Sequence, residues 1–310
     1  MLIAAELSAN HNGKLDTALK TATAAKEAGA DALKIQTYTA EGITMDRELT
    51  KLYKKAYTPR EWHQEIFDHC RELGLLCFSS PFSINDVDFL ETLGCPIYKV
   101  ASFEIVDIPL IQYIASKRKP MIISTGMATE VEITDALRAA QSCDVTLLKC
   151  TSAYPADPKE ANLLTMADYR DKWKHVKVGI SDHTPGIGVS IAAVALGAEM
   201  VEKHFTIEKK GIDSEVSLLP DEFKLLVTEC RRVGDALGRV HYGPTAGELK
   251  SYRRSLWVTK NIAAGEQFTP EHVKSLRPAG GIAPKHLPNI IGKIAKRDCL
   301  KGEPLTWNSL

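Results

Sequence analysis

The sequence predicts a (β/α)8 barrel followed by a small appended domain. Eight short apolar runs alternate with longer amphipathic stretches, and polar residues gather where the runs end. After residue 238 the style changes to short pieces punctuated by Gly and Pro.

In chain order, the strand-like runs are 2–5, 32–36, 75–78, 97–100, 121–124, 145–149, 176–180 and 200–204. Between them lie helical patterns over 16–28, 59–73, 85–93, 108–116, 130–141, 187–196 and 221–237, several of them ended by Gly. An open doubly wound sheet would place a Gly-rich nucleotide loop after its first strand. Here strand one runs into Ser8-Ala9-Asn10-His11-Asn12-Gly13, which favours the barrel. Glu6, Lys34, Gln36, Ser79, Ser80, Lys99, Ser102, Ser124, Thr125, Lys149 to Ser152, Ser181 to His183 and Glu202 to His204 all fall at strand ends, the catalytic face of a barrel. The boundaries expected are 1–240 for the barrel, 241–252 for a linker and 253–310 for the second domain, whose strand-like pieces are 255–259 and 273–276. So small a domain is expected to lean on another surface.

Composition narrows the function. Lys plus Arg number 39 and Asp plus Glu number 39, so the net positive field of nucleic-acid or anionic-membrane binding is absent. No apolar run approaches the roughly 20 residues that span a bilayer. The start, MLIAAELSANHNG, has no basic region and reads as a buried strand, so a cytoplasmic protein is expected. Seven cysteines are scattered without a CxxC pair and are expected as reduced thiols.

The sharpest chemistry is Ser181-Asp182-His183 at the seventh strand end beside Glu202-Lys203-His204 at the eighth. Neighbouring strands lie roughly 5 Å apart, so His183 and His204 can share one divalent metal. Two nitrogens leave positions open for water and substrate, which suits Mn²⁺ or Co²⁺ better than closed structural zinc. Either histidine alone would read as an ordinary hydrogen-bonded residue; their pairing at adjacent strand tips reverses that. Lys34 and Lys99, with the hydroxyls of Ser80, Ser102, Ser124, Ser152 and Ser181, form a ring of donors that fits a phosphate or carboxylate. Glu6 reaches the same mouth and could move a proton; its alternative is an ion pair to Lys34 or Lys203.

These residues lie in a series of motifs that resembles the sialic acid synthase family: AELSANHNG, ADALKIQTY, FSSPFS, YKVASFE, IISTGMAT, LKCTSAYPA, GISDHTPGIG and ALGAEMVEKHF, in order. RRSLWVTKNIAAGEQFT and LRPAGGIAPKHL are similar to that family's antifreeze-like (SAF) domain. ELSANHNG, KIQTYT, SSPFS and ASFE look most like its pseudaminic acid synthase branch.

The resemblance implies condensation of phosphoenolpyruvate with an open-chain acetamido sugar to give a sialic-acid-like nonulosonic acid and phosphate. An N-acetylneuraminate or legionaminic acid synthase is the nearest alternative, and a sugar- or ice-binding module on an inert barrel is the non-enzymatic one. It implies His183 and His204 as metal ligands, with manganese expected ahead of magnesium or cobalt, and Glu6 and Glu202 as catalytic residues. Lys34, Ser80, Lys99, Ser102, Ser124, Ser152 and Ser181 would hold phosphoenolpyruvate. At Ser80 and Ser152 the N-acetylneuraminate branch usually has Thr and Asn, and each replacement keeps a donor. Gln36, Tyr154, Asp213 and Arg277 would contact the sugar. Family members are domain-swapped homodimers in which the SAF domain covers the partner's barrel mouth, which would carry Arg277 there.

Overall fold

Eight parallel strands close into a barrel in chain order: β1 (Leu2–Glu6), β2 (Ala32–Thr37), β3 (Leu76–Pro81), β4 (Tyr98–Val100), β5 (Met121–Ser124), β6 (Val145–Cys150), β7 (Lys177–Asp182) and β8 (Met200–His204). The computed structural model describes residues 1–310 and comprises two units, Met1–Gly238 and Arg239–Leu310. Strands of a barrel are covered by helices outside and by one another inside, so they read as nearly unbroken apolar runs. Ile3, Ala4 and Ala5 of β1 are all fully buried.

Closure is made by β1 against β8, where Glu6 pairs in register with His204, while the other edge of β1 sets Glu6 against Lys34. On β7, Gly179 is a glycine because a Cβ there would lie 2.4 Å from the Met200 carbonyl oxygen.

The helices are α1 (Leu15–Glu27), α2 (Ala40–Ile43), α3 (Arg47–Ala56), α4 (Arg60–Glu72), α5 (Ile84–Thr92), α6 (Ile108–Ser116), α7 (Glu130–Ala139), α8 (Thr165–Lys172), α9 (Gly188–Ala195) and α10 (Pro220–Leu237). Their starts follow ordinary capping chemistry. Asp46 accepts from the N–H groups of Glu48 and Leu49 ahead of α3, and Thr129 with Glu132 forms a capping box on α7.

Helices α2, α3 and α8 are absent from the sequence expectation. Helix α8 buries only Met166 and Tyr169 and carries no broad apolar stripe, whereas α3 has Leu49, Leu52 and Tyr53 at helical spacing and buries none of its residues. None of the helices is long and apolar enough to cross a membrane. All seven cysteines are free thiols.

The second unit pairs β9 (Ser255–Val258) antiparallel with β10 (Val273–Leu276). Isolated bridges Trp257 to Pro304, Ile262 to Cys299 and Gln267 to Ile294 extend this framework. Leu256, Val258, Phe268, Val273, Ile290 and Leu305 lead a buried cluster of its own.

Candidate active site

Four buried charged side chains gather inside the mouth formed by the carboxyl ends of the strands. Lys34 Nζ lies 2.8 Å from Glu6 Oε2 and 3.8 Å from Glu202 Oε1, and Lys99 Nζ lies 3.8 Å from the same Glu202 oxygen. The ion pair between Glu6 and Lys34, raised as the alternative for Glu6, is therefore present. Ser181 donates a hydrogen bond of 2.9 Å to Glu202 Oε1, and Gln36 donates to Glu6 Oε1 at 2.9 Å and to Ser8 at 3.2 Å.

Two acids in one cluster are pushed apart in their ionisation. Burial acts to raise both carboxyls. At Glu202 the charges of Lys34 and Lys99 outweigh burial and hold the group down at about 2. At Glu6 burial wins over Lys34, helped by the nearby Glu202 charge, and the carboxyl sits above its ordinary range. Burial lowers Lys99, whereas at Lys34 the charges of Glu202 and Glu6 outweigh burial and raise it.

A small cavity of about 50 Å³ opens over this cluster, and Lys34, Lys99, Ser102, Ser124, Ser181 and Glu202 are among its lining residues. Ser124 Oγ is buried without a partner. Ser80 has an equally unpartnered buried hydroxyl, on β3 opposite Gln36, but is not part of the cavity lining. Ser152 packs beside Ser102 over Gly126: a Cβ on Gly126 would lie 2.0 Å from Ser152 Oγ and 2.7 Å from Ser102 Oγ, and the Gly126 N–H donates to Ser102 at 3.1 Å. This hollow, with its unsatisfied hydroxyl and two ammonium groups, suits a small anion rich in oxygen.

His183 and His204 meet at the rim with ring centroids 5.3 Å apart. His183 Nδ1 is 2.9 Å from the Thr151 carbonyl oxygen, which can only accept, so the ring carries its proton there and Nε2 keeps the lone pair. His204 Nδ1 is buried with no partner, and burial keeps the ring neutral, its value lowered to about 3. No group of three metal-ligating side chains surrounds them. The donors fit a cation bound by two imidazoles with its other positions open. Tyr154 covers the pair, its ring 4.2 Å from that of His183.

Beyond the histidines an outer compartment of about 380 Å³ is lined by Gln36, Tyr38, Phe82, Phe103, Glu104, Tyr154 and Asp213, with Leu52 and Tyr53 contributed by α3. Asp213 is fixed there by accepting from the Ala9 N–H at 3.2 Å. Arg277 belongs to the second unit, just beyond β10, where it lines a concavity with Tyr252, Arg253 and Arg254.

Glu104 and Gly126 are not foreseen from sequence, and Cys150 is foreseen only as part of the strand end 149–152, with no role. Burial raises Glu104 to about 7 against the opposing charge of Lys99, and its Oε2 is unpartnered. Cys150, on the floor, lies 3.8 Å from His183 Nδ1; burial raises its thiol, but the His183 contact outweighs this and lowers it to about 7. Glu104 falls inside the ASFE motif, which was the available signal; Gly126 offers only its place in STGMAT.

Comparison with known proteins agrees with this geometry. A model of the NeuB family matches residues 21–242, and a model of the SAF domain matches residues 253–310. A pseudaminic acid synthase of Campylobacter jejuni is 42% identical over 98% of this chain and 95% of its own length. The pseudaminic acid synthase of Helicobacter pylori is 43% identical over 99% of this chain and 97% of its own. Among solved structures, the N-acetylneuraminic acid synthetase of Leptospira borgpetersenii, crystallised with citrate, superimposes with a TM-score of 0.76 at 34% identity, covering 79% of this chain and 87% of that one.

Proposed function

The chain belongs to the NeuB family and ends in a SAF domain, and from that premise we propose that it is a pseudaminic acid synthase. It joins C3 of phosphoenolpyruvate to the aldehyde carbon of an open-chain acetamido sugar. Water adds at C2, the C2–O bond to phosphate breaks, and a nonulosonic acid and inorganic phosphate leave. The observation that carries this reading is the pair of buried lysines and the unpartnered Ser124 hydroxyl beside two neighbouring imidazoles, of which His204 has an unpartnered Nδ1. The branch rests on identities of 42% and 43% to pseudaminic acid synthases over nearly the whole chain, against 34% to the N-acetylneuraminic acid enzyme.

Lys34 and Lys99 offset the phosphate and carboxylate charges, and the hydroxyls of Ser102, Ser124, Ser152 and Ser181 orient those groups, with Ser80 in support. Glu202 stays ionised and keeps Ser181 and the two lysines in place. Glu6, poised above the ordinary carboxylate range, manages the proton of the water that attacks C2. His183 and His204 would hold a divalent cation, manganese ahead of magnesium or cobalt, which supplies Lewis-acid polarisation of the aldehyde. Gln36, Tyr154 and Asp213 face the sugar. The aromatic walls of the outer compartment suit acetamido methyl groups, and the unpartnered Glu104 oxygen suits a hydroxyl or amide N–H.

The chain would act in the cytoplasm as a homodimer in which Arg277 of one protomer reaches the partner's sugar. Phosphate release from phosphoenolpyruvate and Mn²⁺, measured across a panel of acetamido sugars, tests the activity. Turnover confined to sugars of the N-acetylneuraminate or legionaminate pathway would move the chain to another branch, and no turnover with any sugar would sink the enzyme reading.

A further inference from the structure

Behind the two histidines lies a buried ion pair that the reaction does not use. Asp182 precedes His183 and Lys203 precedes His204, and the two charged residues are register partners across β7 and β8. Alternation along β8 turns Lys203 to the face opposite Glu202 and His204. Lys203 Nζ lies 3.0 Å from Asp182 Oδ2, the side chains being 0% and 1% exposed.

The remaining contacts of the pair hold Thr184, next after His183, and Ser190 on α9. Asp182 Oδ1 accepts from the Thr184 N–H at 2.9 Å and from the Thr184 hydroxyl at 2.7 Å. Its Oδ2 accepts from Ser190 on α9 at 2.6 Å, and Lys203 donates to the Thr184 carbonyl oxygen. The two strand tips and the turn beyond β7 are thus tied from the outside, while the Thr151 carbonyl fixes the His183 ring from within.

Stability is a poor reason for such a pair. Desolvating both charges costs so much that replacing a buried ion pair by neutral side chains of similar volume is often neutral or favourable. We propose that Asp182 and Lys203 are positioning residues that hold His183 and His204 at the separation one divalent cation requires. The proposal rests on the metal-binding reading of those histidines.

The double variant Asp182→Asn with Lys203→Met leaves no unpaired buried charge and keeps an acceptor for the Thr184 N–H. Mn²⁺ alone is titrated into the full chain, free Mn²⁺ being followed by electron paramagnetic resonance, and the thermal midpoint of the metal-free protein is recorded beside it. The expected result is a midpoint close to wild type with Mn²⁺ Kd weakened about ten- to a hundredfold, the range found when groups behind a metal ligand are altered. An unchanged Kd overturns the proposal. If the double variant does not fold, Lys203→Arg carries the test, since it keeps the charge and changes its shape: a weakened Kd supports positioning and an unchanged one overturns it. Wild type and His183→Ala are titrated alongside. Binding by wild type that His183→Ala loses, with no change in the double variant, removes this inference alone; absence of binding by wild type removes the metal reading and the inference with it.

Discussion

Glu104 keeps a proton that an exposed glutamate would lose. Its carboxyl is raised from 4.5 to about 7, so across that window the folded chain binds a proton that the unfolded chain has released. Stability from this group is complete below pH 4.5, falls as pH rises, and is gone above about 7. The shift corresponds to about 3 kcal/mol at most. Glu104→Gln should therefore melt higher than wild type at alkaline pH and level with it at acid pH; equal midpoints across the range would show the carboxyl to be solvated. Lys99 offers a second test at the same scale. A charge-assisted bond to phosphate is worth about 1.5 to 3 kcal/mol, so Lys99→Met should raise the KM for phosphoenolpyruvate by about one to two decades. An unchanged KM would place the phosphate elsewhere.

At the scale of elements, the turn that leaves β5 is shaped by what it lacks. Any side chain on Gly126 meets the Ser152 and Ser102 hydroxyls at once, so Gly126→Ala should disturb both donors while leaving the strands intact. We expect KM for phosphoenolpyruvate to rise about tenfold or more, with an unchanged circular dichroism spectrum, in steady-state assays of the purified variant. A normal KM would mean that the two serines give way without cost. The demand on Gly126 is spatial and comes from residues 24 and 26 positions away, so no local pattern announces it. Strands were legible for the opposite reason: burial on both faces leaves apolar runs such as 121–124, and the barrel then puts each strand's last polar residue into one mouth. Helix α3 was legible in principle, with Asp46 as cap and Leu49, Leu52 and Tyr53 at helical spacing, but it falls outside the strand-helix alternation of the barrel; Leu52 and Tyr53 on it wall the outer compartment. The adjacency of His183 and His204 was readable from strand order alone, whereas the unequal ionisation of Glu6 and Glu202 was not, since both are acids at strand ends and only the lysine distances separate them.

At the scale of the whole molecule, Arg277 and Glu6 lie in different units, which makes their cooperation testable between protomers. Mixing Glu6→Gln protomers with Arg277→Ala protomers should restore activity in a swapped dimer, because one mouth then holds Glu6 and Arg277 both intact. If mass spectrometry shows subunit exchange and turnover stays at the level of the separate variants, the exchange of Arg277 between subunits fails. The quartet of Glu6, Lys34, Lys99 and Glu202 has a thermodynamic consequence of its own. With all four ionised, the two positive and two negative charges of these buried side chains cancel. Phosphoenolpyruvate then brings negative charge to a balanced quartet, and whatever part of it the cation held by His183 and His204 leaves unmatched favours uptake of a hydrogen ion, for which Glu6, held above its ordinary range, is the ready acceptor. Capture of the substrate would thus be a protonation as well as a binding event, its calorimetric heat differing between buffers of unlike ionisation enthalpy and its affinity fading toward alkaline pH.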